Sequence, residues 1–529
     1  MNATVHALLA AQPFARARRL PPLLTLIAAA VCVIVIAPLA MTIFDAFGGN
    51  IENTLRLLLR PIVARLLLNT LGIALATTLL AAVVGTAVAW VVERTDLPGR
   101  RFWAIAVPLP LAIPAFIASY AWLSTSTVFE GAAGALLVVT ASYYPLVYLP
   151  VAAALRGVDP ALEESARTMG CSPWPCFFRV TLPQLRPALL GGMLLVVLHV
   201  LAEFGAFSLL RFRTFTTVIY AEYTAGFAAD QGAMLACVLL VLCLVFLFLE
   251  SRLRGRHRYA RVGAGAQRPP IRYRLGAARI PVLAGMLGLG VVTMGVPLAV
   301  IAWWLTQHDA AAITTAAVSP AALGRATLHS LGYGLAAGVA TTLLALPIAY
   351  LSVRYRQRLV QVLERATYLP RGMPGIVVAL ALVALSLKFL FPLYQTTVLL
   401  IAAYAIIFMP LAVVSVRVSL AQIQPSLEQS ARVLGSRPLA VWRRVVVPLA
   451  APGLGAAMAL VFISVCTELT STLLLVPTGA QTLATQVWAE SSTFAFASAA
   501  PYAAILVGIS MFATWILADR FGRAPVEMT

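Results

Sequence analysis

Charged residues are few for a chain of this length. Only 11% of the 529 residues are Asp, Glu, Lys or Arg, whereas 61% are hydrophobic, and the mean hydropathy is +0.92. A soluble domain of this size needs a much larger polar surface to remain dissolved. The shortage of charge therefore excludes a soluble globular protein and indicates a polytopic membrane protein.

Cysteine and histidine are scarce as well. The chain has six Cys and five His; the cysteines lack the CxxC spacing of metal sites, and most fall in apolar runs where Cys acts as a small hydrophobe. No GxxxxGK[ST] phosphate-binding loop occurs, and no nucleophile, base and orienting residue are grouped together. We therefore expect a non-catalytic subunit that binds no cofactor itself, and the sequence assigns no metal site.

Basic residues outnumber acidic ones by 38 to 19, which gives a net charge of +19. Almost all of them are arginines in short segments between apolar runs, as the positive-inside rule describes, and not on a soluble nucleic-acid-binding face. We expect the most Arg-rich of these segments and both termini on the cytoplasmic side of the membrane, although Arg56, Arg60, Arg65, Arg211 and Arg213 fall in segments assigned to the other side. We expect no nucleic-acid partner.

Apolar runs long enough to cross a bilayer recur along the chain. A spanning helix needs about 20 apolar residues, and these runs are continuous, unlike the alternating ~10-residue strands of a membrane barrel. The predicted spans are 21–44, 66–92, 102–125, 132–155, 187–210, 231–249, 280–305, 328–353, 367–388, 394–416, 453–476 and 499–518. The first run outlasts a signal-peptide core, so we expect it to be retained. The predicted fold class is an all-α protein with twelve transmembrane helices.

One motif is repeated within the chain. The sequence EESARTMG at 163–170 is echoed by EQSARVLG at 428–435. Further matches lie at an offset of 265 for Pro173/Pro438, Pro183/Pro448, Pro187/Pro452 and Glu203/Glu468, and at 260 for Asn69/His329, Pro110/Pro370 and Pro114/Pro374. An even number of helices per copy gives both copies the same orientation, as in parallel repeats. We expect a first repeat at 1–250, a cytoplasmic Arg-rich linker at 251–279 and a second repeat at 280–529.

The repeated motif falls in two loops, which we call the first loop (156–187) and the second loop (417–452). Each short helix is predicted to begin at a Pro and to end at a left-handed Gly, Gly170 or Gly435. Spacing of i, i+4 predicts that Glu163 pairs with Arg167, and likewise in the second loop. An apolar stripe is predicted along each helix: Leu162, Ala166 and Met169 in the first, and Leu427, Ala431 and Leu434 in the second.

These loops resemble the EAA loop of the integral membrane components of binding-protein-dependent ABC importers, although neither keeps the literal Glu-Ala-Ala. The resemblance implies a type I importer permease fold, in which each loop forms a coupling helix docked on a cytoplasmic ATPase subunit. The residues it assigns to ATPase coupling are Glu163, Glu164, Ala166, Gly170, Glu428, Ala431 and Gly435. It also implies a location in a bacterial inner membrane, two ATPase subunits that bind ATP–Mg, and a periplasmic or lipid-anchored substrate-binding protein. A duplicated amphipathic surface helix is the alternative.

Two glutamates, Glu203 and Glu468, occupy equivalent positions in the predicted fifth helices, and His199 lies one turn before the first. Ionisable residues inside a membrane are costly and often mark a transport pathway, and carboxylates suit a hard cation. Alternatively, both glutamates hydrogen-bond the broken segment after the fifth span without contacting cargo. Prolines 108, 110 and 114, with 370 and 374, predict kinks in the third span of each copy.

The cargo is indicated by resemblance alone. The stretches 203–217 and 472–485 are similar to the ferric-iron permeases, which implies ferric iron as the substrate. Permeases for thiamine, aminophosphonates and polyamines share much of this pattern and stay open as alternatives. An ion-driven secondary transporter with twelve helices is the rival outside the family, whereas a channel lacks support because no filter sequence is evident.

Overall fold

The computed structural model of the chain describes residues 20–47, 56, 59–158, 160–224, 229–254, 272–307 and 318–522. Within them the chain is predominantly helical and forms no β-strand, apart from one isolated parallel bridge between Thr95 and Tyr273. The N-terminal arginines and most of the predicted linker lie outside the described residues. The prediction of an all-α fold is confirmed.

Helices of the first repeat follow the predicted order of spans and loop. They are α1 (Pro22–Phe47), α2 (Pro61–Arg94), α3 (Arg100–Ala106), α4 (Ala115–Thr125), α5 (Ala132–Tyr143), α6 (Pro145–Gly157), α7 (Pro160–Thr168), α8 (Pro173–Cys176), α9 (Leu182–Ala202), α10 (Gly205–Leu209), α11 (Phe215–Thr224) and α12 (Ala229–Arg254). A π-helical turn, Phe177–Thr181, joins α8 to α9 without a break.

The second repeat has the same order of elements. Its helices are α13 (Arg279–Gly290), α14 (Val296–Thr306), α15 (Pro320–Arg354), α16 (Arg358–Ala366), α17 (Gly375–Phe389), α18 (Thr397–Gln422), α19 (Pro425–Val433), α20 (Pro438–Val441), α21 (Val447–Cys466), α22 (Thr470–Leu475), α23 (Leu483–Ser492) and α24 (Phe496–Gly522). Here the π-helical turn is Trp442–Val446, between α20 and α21.

Ten helical stretches in the described chain are long and apolar enough to cross a membrane, and two bent pairs bring the number to as many as twelve. The bent pairs are Arg100–Ala112 with Ala115–Thr125, at 86°, and Arg358–Gly372 with Gly375–Phe389, at 107°. Both breaks lie at the prolines of the third span, where a missing N–H and the ring interrupt the helix. The predicted kinks and the count of spans are confirmed.

The ends of the fifth span in each copy differ from the prediction. The expected spans 187–210 and 453–476 are instead Trp174–Ala202 and Pro438–Cys466. Each begins earlier because the π-helical turn continues the loop helix into the span. Each also ends earlier because the chain breaks before the short apolar helices α10 and α22, which a hydropathy window does not separate from the span.

The described residues pack as two compact units. The smaller one comprises 20–37, 335–371 and 404–462, with a core that includes Tyr350, Val416, Leu420 and Val446. The larger one comprises the remaining described residues. In it, α2 packs on α6 and α9. In each copy, the short helix after the fifth span packs on the second half of the third span: α10 on α4, and α22 on α17.

Candidate functional site

The first loop is built around the helix α7 and a left-handed glycine. Gly170 has φ of 86°, its N–H donates to the Arg167 carbonyl at 3.0 Å, and the Cys171 N–H donates to the Ala166 carbonyl at 3.0 Å. This pair of bonds is a Schellman motif, which satisfies the last carbonyls of a helix. The predicted helix end at Gly170 is therefore confirmed.

The second loop repeats this turn. Gly435 has φ of 82°, its N–H donates to the Arg432 carbonyl at 3.0 Å, and the Ser436 N–H donates to the Ala431 carbonyl at 3.0 Å. The helices α7 and α19 begin at Pro160 and Pro425, as the sequence predicts. Both loops thus have the same backbone from their first proline to the residue after the glycine.

Glu163 faces the interior of the larger unit. Its Oε1 accepts from Arg94 Nη2 at 2.9 Å and from Thr181 Oγ1 at 2.5 Å, and both charged side chains are fully buried. The predicted i, i+4 pair with Arg167 is wrong for this residue, because Arg94, at the end of α2, holds the carboxylate. The neighbouring Glu164 is exposed and Ala166 is buried.

Glu428 has the same environment in the smaller unit. Its Oε1 accepts from Arg354 Nε at 2.8 Å, and Tyr350 donates to Oε2 at 2.7 Å. The i, i+4 neighbour Arg432 reaches this carboxylate at 3.9 Å, so the predicted pair is present as a secondary contact. Ala431 is half-buried.

Sequence reasoning missed Arg94 and Arg354 as partners of the two loop glutamates. They lie 260 residues apart, which is the offset that already relates the upstream parts of the repeats. At the level of sequence, an arginine at the end of a span indicates only membrane orientation. The repeat offset could have singled out this pair, whereas its contact with the glutamate requires the tertiary fold.

Large apolar side chains cover the outward face of both loops. The exposed set is Leu162, Met169 and Trp174 in the first loop and Leu427, Leu434 and Leu439 in the second, each pair at the offset of 265. Met169 and Leu434 are 81% and 84% exposed. The leucine and methionine side chains of the predicted stripe therefore face away from the core, whereas Ala166 is buried and Ala431 is half-buried. Exposed apolar groups clustered in this way indicate an interaction surface.

Glu203 lies in the break after α9. Its Oε1 accepts from the Ala206 N–H at 2.9 Å, and the Tyr143 hydroxyl donates to Oε2. His199, whose ring centroid lies 5.4 Å from that of Tyr143, bonds the Leu195 carbonyl through Nδ1 at 2.8 Å. Glu203 is half-buried as a residue, and both of its carboxylate oxygens are hydrogen-bonded.

Glu468 has the matching place after α21. Its Oε1 accepts from the N–H and the hydroxyl of Ser471, both at 3.0 Å. The two glutamates interact electrostatically. Their segments also touch, since a Cβ added to Gly205 would lie 2.7 Å from Leu469 Cδ2. The hydrogen-bonding alternative describes these contacts, whereas a role for Glu203, Glu468 and His199 in the pathway stays a prediction.

No group of three or more His, Cys, Asp or Glu side chains within the described residues could hold a metal ion. Glu203 and Glu468 supply two carboxylates, one from each of the chain breaks that follow the fifth spans. Their arrangement can attract a passing cation through charge, and it does not form a closed coordination sphere.

The family described as "Binding-protein-dependent transport system inner membrane component" matches the chain twice, at residues 81–251 and 341–524. The Fe(3+)-transport system permease protein FbpB 2 of Haemophilus influenzae is 36% identical over 502 residues, which cover 94% of this chain and 98% of that protein.

Shorter permeases match part of the chain. The sulfate transport system permease protein CysW of Synechocystis is 28% identical over 246 residues, 42% of this chain and 88% of that protein. The molybdate/tungstate transport system permease protein WtpB of Thermococcus kodakarensis is 27% identical over 225 residues, 41% of this chain and 90% of that protein. This chain belongs to the family of binding-protein-dependent transport system inner membrane components, as a multi-pass permease subunit that carries the family domain twice.

Proposed function

We propose that this permease moves ferric iron inward across a bacterial cytoplasmic membrane. A periplasmic or lipid-anchored binding protein delivers the iron, and two cytoplasmic ATPase subunits dock on the two loops. The ATPase subunits bind ATP–Mg and hydrolyse it, and the permease alternates between outward and inward access in response. The loop helices α7 and α19 then act as the first and second coupling helices.

One observation carries the docking part of this proposal, namely that two loops present the same exposed apolar set on the same backbone. Each of Leu162, Met169 and Trp174 has an exposed leucine as its counterpart 265 residues later, in the second loop. Exposing such side chains to water is unfavourable, and burying them in a groove of a partner would recover about 25 cal/mol per Å². Two equivalent surfaces fit a partner that is itself present as two subunits.

The buried ion pairs give the loop residues distinct roles. Glu163 and Glu428 anchor the coupling helices to the spans α2 and α15 through Arg94 and Arg354. A displacement of a coupling helix would therefore be transmitted to a spanning helix. Glu164, which is exposed beside Glu163, is the acidic side chain available to basic groups of an ATPase.

Iron as the cargo is supported by the full-length likeness to an Fe(3+)-transport permease. The pair Glu203 and Glu468 supports it further, because two half-buried carboxylates attract a cation and repel an oxyanion. Sulfate and molybdate permeases match less than half of this chain, and their named substrates carry the opposite charge. Organic cations such as thiamine and polyamines remain the competing cargo class, and their uptake is an outcome of the test.

The test reconstitutes the chain with its ATPase and binding protein in proteoliposomes. We expect ATP-dependent accumulation of iron when the binding protein is loaded with Fe³⁺, and no uptake when it is loaded with sulfate. Uptake of thiamine or a polyamine in place of iron would contradict the cargo. Uptake by the purified chain alone under an ion gradient would contradict the ATP-driven mechanism.

A further inference from the structure

The end of the linker between the repeats touches the first coupling helix. Tyr273 lies with its ring stacked on Trp90 of α2, at 5.4 Å between centroids and 27° between planes. The guanidinium of Arg167, on α7, lies over the Tyr273 ring, 5.5 Å from its centroid. Tyr273 thus joins a spanning helix to the first coupling helix.

Backbone hydrogen bonds hold Tyr273 in place. Its N–H donates to the Arg94 carbonyl at 2.7 Å, and its carbonyl accepts from the Asp96 N–H at 3.2 Å. The Asp96 carboxylate accepts from the Leu275 N–H at 2.8 Å. The two backbone bonds and the bond to the Asp96 carboxylate fix residues 273–275 against the end of α2, where Arg94, the partner of Glu163, is also located.

The environment of the ring favours a neutral phenol that can serve as a cation–π partner. Tyr273 is half-buried, and burial raises the pKa of its hydroxyl, to which the nearby Glu163 carboxylate adds. The ring therefore stays uncharged at neutral pH, and Arg167 is attracted to its face.

The second coupling helix is held differently. Tyr350 occupies the position equivalent to Trp90, and its hydroxyl donates to Glu428 at 2.7 Å while its ring packs on Trp442 at 4.7 Å. Arg432, the counterpart of Arg167, is directed to Glu428 at 3.9 Å. All the contacts just described come from the second repeat itself, whereas the first coupling helix is contacted by a residue from beyond the first repeat.

We propose that Tyr273 is a positioning residue for the first coupling helix, so that the end of the linker forms part of the first ATPase docking site. The proposal rests on the proposed coupling role of α7. The linker is then a component of the coupling machinery as well as a tether. It makes the two docking sites unequal, because only the first depends on Tyr273.

The experiment uses the full chain with its native cysteines replaced and one reporter cysteine at a time, Ser165→Cys in the first coupling helix or Ser430→Cys at the matching position of the second, both of which are exposed. A spin label on each reporter measures the mobility of its helix in proteoliposomes. In the Tyr273→Ala variant we expect the mobile component to grow for the label at 165 and to stay unchanged at 430. The Tyr273→Phe variant retains the ring and should match the parent.

The same reporters are then cross-linked to the ATPase. Loss of the ring contacts should lower the yield at position 165 about fivefold, with no change at 430. Equal mobility of the label at 165 in the parent and in Tyr273→Ala would overturn the proposal, as would equal losses at both positions. If Tyr273→Ala inserts poorly into the membrane, Arg167→Ala tests the same contact from its other side. Arg167 is exposed, and its loss removes the guanidinium that lies over the Tyr273 ring, so this variant should reproduce the effect.

Failure of the proposed function gives a different result. If α7 and α19 were not coupling helices, neither reporter would cross-link to the ATPase even in the parent chain. A parent that cross-links at both positions, followed by a selective loss in Tyr273→Ala, supports the positioning role. A selective gain in mobility at 165 without loss of cross-linking would contradict a part for Tyr273 in the docking site.

Discussion

Arg94 and Glu163 form a buried ion pair at the base of the first coupling helix, with Nη2 and Oε1 2.9 Å apart although 69 residues separate them in the chain. The equivalent pair in the second repeat, Arg354 and Glu428, spans 2.8 Å. A buried charge is tolerated only with a partner. The pairs therefore explain why an acidic residue is present at the inward position of each loop helix.

Removing one member of the first pair should strongly destabilise the protein. Arg94→Met leaves Glu163 buried without its partner, and we expect a loss of about 3–5 kcal/mol in the free energy of unfolding. Thermal unfolding of the detergent-solubilised permease measures this. Arg354→Met should cost less, because Tyr350 and Arg432 still contact Glu428.

The double variant Arg94→Met with Glu163→Met is the control for this prediction. Replacing both charges with apolar side chains of similar size removes the unpaired carboxylate, so most of the lost stability should return. A double variant no more stable than Arg94→Met alone would show that the arginine acts through packing and not through the ion pair.

The left-handed glycines should be needed for coupling. Gly435→Asp and Gly435→Ala both place a Cβ on a residue with φ of 82°, which costs about 1–2 kcal/mol and distorts the turn. We expect loss of ATP-dependent uptake with normal amounts of chain in the membrane. The matched control is Gly285→Ala, where an added Cβ meets nothing within 4 Å and φ is not positive. Undiminished uptake in Gly435→Asp would contradict the prediction.

Charge on the apolar surface of the first loop should weaken ATPase docking. Met169→Glu places a carboxylate on a side chain that is 81% exposed, and we expect about a tenfold weaker association, or about 1.4 kcal/mol. Co-purification of the ATPase with the permease reports this. Val128→Glu is the control, because Val128 is 80% exposed but lies one membrane span away from the loop. Equal effects of both variants would refute a local docking surface.

The paired glutamates can be tested by separating charge from hydrogen bonding. Glu203→Gln and Glu468→Gln keep an oxygen that accepts from Ala206 or Ser471 and remove the negative charge. At position 203 the new amide nitrogen donates to the Tyr143 hydroxyl, which turns to accept, so this hydrogen bond is kept with its direction reversed. If the carboxylates attract the cargo, the double variant should lose iron uptake about tenfold or more, equivalent to about 1.4 kcal/mol, with unchanged thermal stability.

Alanine variants supply the contrast for this last prediction. Glu203→Ala removes the acceptor as well as the charge, so it should lower stability in addition to uptake. Normal uptake in the double glutamine variant, together with reduced uptake in Glu203→Ala, would assign the glutamates to hydrogen bonding of the breaks alone.

Features that depend on residues adjacent in the chain could be predicted from the sequence. The apolar runs, the proline kinks of the third spans, the left-handed Gly170 and Gly435 and the offset of the repeats all follow from local geometry or from composition. The ends of the fifth spans could not be predicted in the same way. Residues 203–210 continue the hydropathy of α9, and the break at Glu203 becomes visible only in three dimensions.

The sequence by itself determined that this is a duplicated helical membrane protein with two matching loops, because helix formation in a bilayer is imposed by the solvent and the repeat is written in the residue order. Only the tertiary structure decided which way Glu163 and Glu428 face, that Arg94 and Arg354 are their partners, and that Tyr273 contacts Arg167. These contacts join residues 69 or more positions apart, and a local pattern such as the i, i+4 spacing of Glu163 and Arg167 is weaker than a buried ion pair formed by the fold.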